Sequence, residues 1–546
     1  MTADDRRDGD ARGAGRPDGD SGGAGRSAGG SGGAGRPRGD RRDAGRQGVE
    51  RRDAGRQGVE RRDASGRQRG AARAEGRSTR SAAAPSQRRR GTDAPRRAAF
   101  DVLRAVADSD SYANLVLPPL LRERGIRGRD AAFATELAYG ALRLRGRYDA
   151  VITLAADRPT DRIDGPVLDV LRLGVHQLLG MRVPPHAAVS ETVGLAREAV
   201  GAGPAQFVNA VLRAVEREAD WDARIADAAG DDPLLRLATV ESHPVWVARA
   251  LREALVAHGR TADELAALLA ADNAAPRVTL VARPGLATRD ELGGTPGHLA
   301  PTAATLGGGD PAAVEAVREG RAGVQDEGSQ LVALALAAAP LDGPDVRWLD
   351  LCAGPGGKAA LLAACAAERG ARLLANELQP HRARLVEQAL RAVPPGAVEA
   401  VRTGDGRLLG DDEPGGYDRV MVDAPCTGLG ALRRRPESRW RRVPADVAAL
   451  GELQRALLAS ALRAVRPGGV VAYVTCSPHV AETQLVVVDA LRAATKAGLG
   501  VQRIDAAAVV RGIAPDAELT DRDDVQLWPH VHGTDAMHLT LLRRTS

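Results

Sequence analysis

Apolar residues along this chain change their spacing twice, and each change marks a boundary. Residues 1–93 contain almost no large apolar side chain and consist mainly of Gly, Ala, Arg, Asp and Ser. The decapeptide at residues 41–50 repeats at 51–60, and a third copy begins at 61–64. A ten-residue period with no apolar face cannot build a solenoid core, so a disordered Arg/Gly-rich tail is expected over 1–93. From Pro95 onward apolar residues take helical spacing, which predicts helices over 98–106, 131–142, 167–179, 187–200 and 207–219. No convincing strand interrupts them, so 95–235 reads as an all-α domain. A linking segment, 236–335, follows with one helix and a strand predicted over 277–282.

Over 336–546 short apolar runs alternate with amphipathic ones. Strands are predicted over 346–351, 372–375, 398–402, 419–423 and 470–475, with helices over 358–368, 379–391 and 445–465 between them. Strand–helix alternation implies an α/β fold built on a mostly parallel, doubly wound sheet. Ligands of such sheets bind outside the carboxyl ends of the strands. The strand ends are therefore where chemistry is to be sought.

Composition narrows the picture. A chain of 546 residues exceeds one compact core. The net charge of +5 is uneven, because residues 1–95 hold 23 Arg against 14 Asp and Glu and leave the remainder net acidic. The tail is thus either a salt-sensitive RNA-binding arm or a mixed-sign solvated segment. Aromatic content of 2% excludes broad base-stacking platforms. Four cysteines, no apolar leader and no apolar run of membrane-spanning length point to a reduced, cytoplasmic protein without a membrane span. No Cys-x-x-Cys occurs, and His530 and His532 are isolated, so no metal is expected.

Three predicted strands end in acidic or glycine-rich segments. The first leads into Asp350-Leu351-Cys352-Ala353-Gly354-Pro355-Gly356-Gly357-Lys358. Small residues there admit a ligand close to the backbone, and the following helix N-terminus favours an anionic group. The segment is neither a P-loop nor a dinucleotide fingerprint, since it lacks both spacings. The second strand ends at Glu377, where a carboxylate can accept both hydroxyls of a ribose. The third ends near Asp405, placed to accept from an adenine amino group. Taken singly, each acid is more simply a helix cap or turn residue. Three after consecutive strands describe a nucleoside cofactor with a small charged head, which S-adenosylmethionine fits.

Two thiols follow the next strands. Asp423-Ala-Pro-Cys426-Thr-Gly follows one, and Thr475-Cys476-Ser the other. Only two lysines occur among 76 basic residues, Lys358 and Lys496, so Lys358 in the glycine-rich segment stands out. Arg433, Arg434, Arg435 and Arg439 form a basic cluster beside the first thiol, read either as phosphate contacts or as a solvated charge run. Cys365 reads as a small buried hydrophobe.

These motifs resemble the RNA cytosine-5 methyltransferases related to the bacterial small-subunit rRNA enzyme. The segments Asp350–Lys358, Glu377, Asp405, 423–428 and 475–477 carry the likeness, and 433–437 with Trp440 extends it. Residues 130–140, 171–179 and 207–213 resemble the NusB-like RNA-binding domain of the rRNA-methylating branch. The resemblance implies a Rossmann-like methyltransferase domain and S-adenosylmethionine bound by 352–358, Glu377, Asp405 and Asp423. It implies 16S rRNA or a small-subunit precursor as partner and a monomeric enzyme. By the same resemblance Cys476 is the nucleophile, Cys426 assists proton removal or product release, and Asp423 and Lys358 face the base. Two other readings stay open here. A DNA cytosine-5 methyltransferase would use Cys426 as attacker, and a ribosome-assembly factor would retain the fold without catalysis.

Overall fold

The computed structural model describes residues 93–109 and 111–546. The tail expected over 1–93 lies outside them except for its last residue, Asp93. That carboxylate accepts from the Arg96 amide and caps the first helix, Ala94–Asp108. The following helices are Ala113–Glu123, Gly128–Arg143, Arg145–Ala156, Gly165–Leu179, Pro185–Ala199 and Ala202–Arg217. Their apolar faces meet around Phe100, Leu103, Leu137, Tyr148, Leu171 and Val211. Several start before the predicted positions because periodicity marks only the buried stripe. Prolines in the first turn at Pro95, Pro166 and Pro185 need no N–H there. The helix Ala113–Glu123 had no sequence signal. Pro118 and Pro119 lie inside it and read as breakers.

The linking segment contains more structure than expected. Helix Trp221–Ala229 still belongs to the helical domain and Pro233–Val240 crosses its end, while Val245–Ala257 and Leu265–Asn273 precede a small antiparallel sheet. The predicted strand is its third member, Thr279–Ala282, in the order Thr295–Pro296, Ala303–Thr305, Thr279–Ala282, Ala322–Val324.

The large sheet comprises β1 (Arg347–Asp350), β2 (Arg372–Glu377), β3 (Val398–Thr403), β4 (Tyr417–Asp423), β5 (Val465–Thr475), β6 (Val501–Ile504), β7 (Val525–Gln526) and β8 (His538–Arg544). Its order is β3-β2-β1-β4-β5-β8-β6, with β7 attached to β8. β1 to β5 run parallel, and β8 is antiparallel to β5 and β6. The period of two sorts the side chains onto two cores. Trp348, Met421, Val470 and Val474 enter one, and Leu349, Val420, Val422 and Tyr473 the other.

This topology positions the site. The winding direction reverses between β1 and β4, which opens a crevice at their carboxyl ends. β4 and β5 are in register with Asp423 opposite Val474, so the chain leaves both strands side by side. Among the described residues no helix is long and apolar enough to cross a membrane.

Candidate active site

A cavity of about 2000 Å³ runs over the ends of β1, β2 and β4 and is closed on its far side by helices Ala113–Glu123 and Gly128–Arg143. On one flank lies the glycine-rich loop. Gly356 has φ +109°, and a Cβ there would sit 2.6 Å from the Ala389 Cβ and 3.0 Å from the Val386 Cα. Only glycine fits, which brings the loop down onto the next helix. The Gly354 amide donates to Glu377 Oε2 at 3.0 Å, and Oε1 accepts from the Gln379 amide at 2.9 Å. Asp405 caps the helix Gly406–Asp412 through the Arg407 amide at 2.9 Å and holds the Arg407 guanidinium. It is thus a cap residue that also lines the cavity.

Two further polar groups brace this flank. Asn376, not singled out from the sequence, donates to Leu351 O at 3.0 Å and Gly404 O at 3.1 Å, so it ties the ends of three strands. Its Oδ1 is buried without a partner and the residue lines the cavity. Asp350 is buried, and its Oδ2 also has no partner. Burial pushes its carboxyl up to about 7, reinforced by the charge of Asp423 and opposed by Lys358. The flank therefore offers carboxylates and unclaimed acceptors to a ligand rich in hydroxyl, amino and cationic groups.

On the other flank Cys426 Sγ and Cys476 Sγ are 3.3 Å apart. Beside them Lys358 Nζ pairs with Asp423 Oδ2 at 2.9 Å. Burial opposes the ammonium charge, but the Asp423 carboxylate outweighs it and raises the Lys358 pKa. The thiols divide one proton unequally. The hydrogen bond from Cys426 lowers the Cys476 pKa against the effect of burial, with help from Lys358 and Arg435. The same hydrogen bond, then burial, raises Cys426 well above the thiol range.

A third residue joins the two loops. Glu482 Oε1 accepts from the Thr427 amide at 2.7 Å, and Oε2 accepts from the Ser477 hydroxyl at 2.6 Å. In the sequence Glu482-Thr483 stands where the resembled family often shows Glu-Asn after Thr-Cys-Ser, a match that gave the acid no role. Gly430 closes the arrangement. Its amide donates to Cys476 O at 2.9 Å, and a Cβ there would lie 2.3 Å from Ala536 O.

The chain matches the family model described as 16S rRNA methyltransferase RsmB/F over residues 335–543, and the NusB family model over 93–217. It is 54% identical over 455 residues to Rv1407 of Mycobacterium tuberculosis strain H37Rv, covering 82% of this chain and 96% of that protein. Rv1407 is named only as a methyltransferase. It is 30% identical over 406 residues to ribosomal RNA small subunit methyltransferase B of Escherichia coli O6:K15:H31 strain 536, covering 71% of this chain and 88% of that protein. The chain belongs to the RsmB/F family. The crystal structure of PH0851 shares the fold, with a TM-score of 0.66 at 20% identity over 82% of this chain and 98% of that one. The protein is therefore a methyltransferase with a helical NusB-like region ahead of its α/β region.

In this RsmB/F methyltransferase Arg433, Arg434 and Arg435 line the cavity, and Arg439 does not. Arg439 is fully buried, donating to Ser242 O at 3.0 Å and Asn273 Oδ1 at 2.8 Å. Arg433 is buried against Asp535 and Gly533 O, and Arg434 pairs with Asp326 and Asp535. Arg439 is wholly enclosed, which corrects its reading as an RNA contact, whereas Arg433 and Arg434 face the cavity with their charges already paired to Asp326 and Asp535. Glu437 accepts from the Ala113 amide at 3.0 Å, and Arg441 donates to Val106 O and Ser111 O. The segment fastens the α/β region to the helical region. Arg435 alone of the four expected residues is exposed, with its guanidinium 5.1 Å from the Tyr112 ring at the cavity.

Neither remaining thiol is poised to ionise. Cys352 lines the cavity, and burial together with Asp350 raises its thiol far above the usual range. Cys365 is buried, as expected, and burial pushes it up to about 11. His258, Asp524 and His538 cluster near β8, but Arg522 takes both oxygens of Asp524 at 2.6 and 3.0 Å and already supplies the cation.

Proposed function

We propose that the enzyme transfers a methyl group from S-adenosylmethionine to carbon 5 of a cytosine in 16S rRNA or a small-subunit precursor, by way of a covalent Cys476–cytosine adduct. The work would be done in the cytoplasm, where ribosomal subunits are made. The observation that carries this reading is the pair of thiols 3.3 Å apart beside the Lys358–Asp423 ion pair. Methyl transfer to an oxygen or an exocyclic nitrogen needs no thiol. Carbon 5 of cytosine is a poor nucleophile, and addition of a thiolate at carbon 6 makes it enamine-like.

The residues then have separate tasks. S-adenosylmethionine supplies an electrophilic sulfonium methyl. Glu377, Asp405, Asn376 and the loop Cys352–Lys358 would hold it, with Glu377 toward the ribose hydroxyls. Asp423 would accept from the amino edge of the cytosine while Lys358 offers a proton or hydrogen bond to the ring. The Cys476 thiolate adds to carbon 6. Consuming that thiolate removes the hydrogen-bonded neighbour and the charge that hold Cys426 protonated. Cys426 then loses its proton to solvent, its thiolate takes the proton from the methylated carbon 5, and the Cys476–carbon bond breaks to return the Cys476 thiolate. Arg435 and Tyr112 at the cavity would meet the flanking RNA, presented as an unstacked base.

Trapping tests the assignment. Cys476→Ala should form no covalent enzyme–RNA complex, whereas Cys426→Ala should accumulate one that survives denaturing electrophoresis. The reverse result would make Cys426 the attacker. Bisulfite sequencing of rRNA from cells with and without the gene should show one cytosine losing its protection, and an unchanged pattern would refute the substrate.

A further inference from the structure

Glu482 takes no part in the steps above, yet it is wholly buried. Every group hydrogen-bonded to its carboxylate is neutral. Oε1 accepts from the Thr427 amide at 2.7 Å and the Gln454 amide at 3.2 Å. Oε2 accepts from the hydroxyls of Thr427 and Ser477. Burying a carboxylate without a cation is costly, and a neutral amide of the same size would avoid most of that cost. Residues that break such a rule concentrate at functional sites.

Its location supplies the function. Thr427 directly follows Cys426, and Ser477 directly follows Cys476. The two hydroxyls lie 3.1 Å apart and donate to the same oxygen. One carboxylate thus spans both loops immediately behind the thiols. Its own segment is anchored in turn, because the Tyr473 hydroxyl on β5 donates to Glu482 O at 2.6 Å.

We propose that Glu482 is a positioning residue that clamps the two cysteine loops together and decides which of the two thiols attacks. Building on the assignment of Cys476 as nucleophile, the clamp does this in two ways. It holds the sulfurs at their 3.3 Å contact, close enough for one thiol to share its proton with the other. Its negative charge also acts on Cys426, where it is among the causes that keep that thiol protonated. Glu482 therefore biases the shared proton toward Cys426 without touching either sulfur.

Iodoacetamide alkylation followed by peptide mass spectrometry reads this bias without any methyl transfer. In the full chain, Cys476 should be alkylated faster than Cys426 at neutral pH. In Glu482→Gln that rate ratio should fall about tenfold, the change expected for one unit of thiol pKa. The pH limb of Cys476 alkylation should move up by about one unit, while S-adenosylmethionine affinity by calorimetry stays the same. Thr427→Val and Ser477→Ala, which remove one hydroxyl each, should lower the ratio in the same direction by less. A folded Glu482→Gln protein with the wild-type ratio would overturn the proposal. If Glu482→Gln does not fold, wild-type ratios in both hydroxyl variants would overturn it. Faster alkylation of Cys426 in the wild type would instead refute the nucleophile assignment, and the change on Glu482→Gln would still report on the clamp.

Discussion

At the scale of single residues, the site depends on charges placed around one sulfur. Cys476 is lowered by the Cys426 hydrogen bond and, among the nearby charges, by Lys358 and Arg435, while burial and Asp423 work against it. The thiolate fraction rises with pH through the thiol pKa, so a lowered pKa moves the reactive limb to lower pH. Alkylation of Cys476 should accordingly reach half its maximal rate at lower pH than alkylation of Cys426. Lys358→Met removes a cation that favours the thiolate, so the limb should shift to higher pH and covalent adduct formation at neutral pH should fall by about tenfold or more. A limb that does not move would exclude Lys358 from this role. Both cysteines and Lys358 were legible in the sequence because each stands in a short motif at a strand end. Asn376 was not, and Glu482 was read only as the acid of a family motif, without a role. Their effect lies in which buried groups they bridge, and no local pattern records that.

At the scale of elements, strands and loops bring these residues together through close backbone contacts. The loop after β1 turns at Gly356 with φ +109° and packs directly on Val386 and Ala389. Gly356→Ala adds a Cβ where neither the dihedral nor the space admits one. It should cost roughly 1–3 kcal/mol of stability by chemical denaturation, and it should weaken S-adenosylmethionine binding in calorimetry because the loop must lift. Wild-type stability and affinity would show that the loop is less constrained than its geometry implies. β1, β2, β4 and β5 were readable because strands buried on both faces give continuous apolar runs, and β3 because its edge position still leaves Val398 and Val401 apolar. β6, a short edge strand, was not read, and neither was β8, whose seven residues begin with His538 and end in Arg543-Arg544. The helix Ala113–Glu123, which lines the cavity, was hidden by its two prolines.

At the scale of the whole molecule, residues 433–442 serve assembly more than recognition. Arg439 sits between helical, linking and α/β regions and donates to groups of Arg143, Ser242, Asp272 and Asn273. Arg439→Met should lower stability by roughly 3–5 kcal/mol, because the buried acceptors lose their only charged donor. The salt dependence of RNA binding should stay the same. Arg435→Ala should do the opposite, leaving thermal stability intact while reducing the slope of log affinity against log salt by about 1. Exchanged outcomes for the two variants would restore the reading of the whole cluster as phosphate contacts.

The sequence by itself determined the alternation of strands and helices, the motifs at the strand ends and the resemblance they carry. These are local, since periodicity and spacing report what a segment does with its own neighbours. The tertiary structure decided what depends on distant segments meeting. It set the two sulfurs at 3.3 Å, made the two thiols unequal in acidity, and turned a run of arginines into a largely buried joint with one exposed member. Charge and burial act through space, so residues identical in sequence character acquire different roles once the chain is folded.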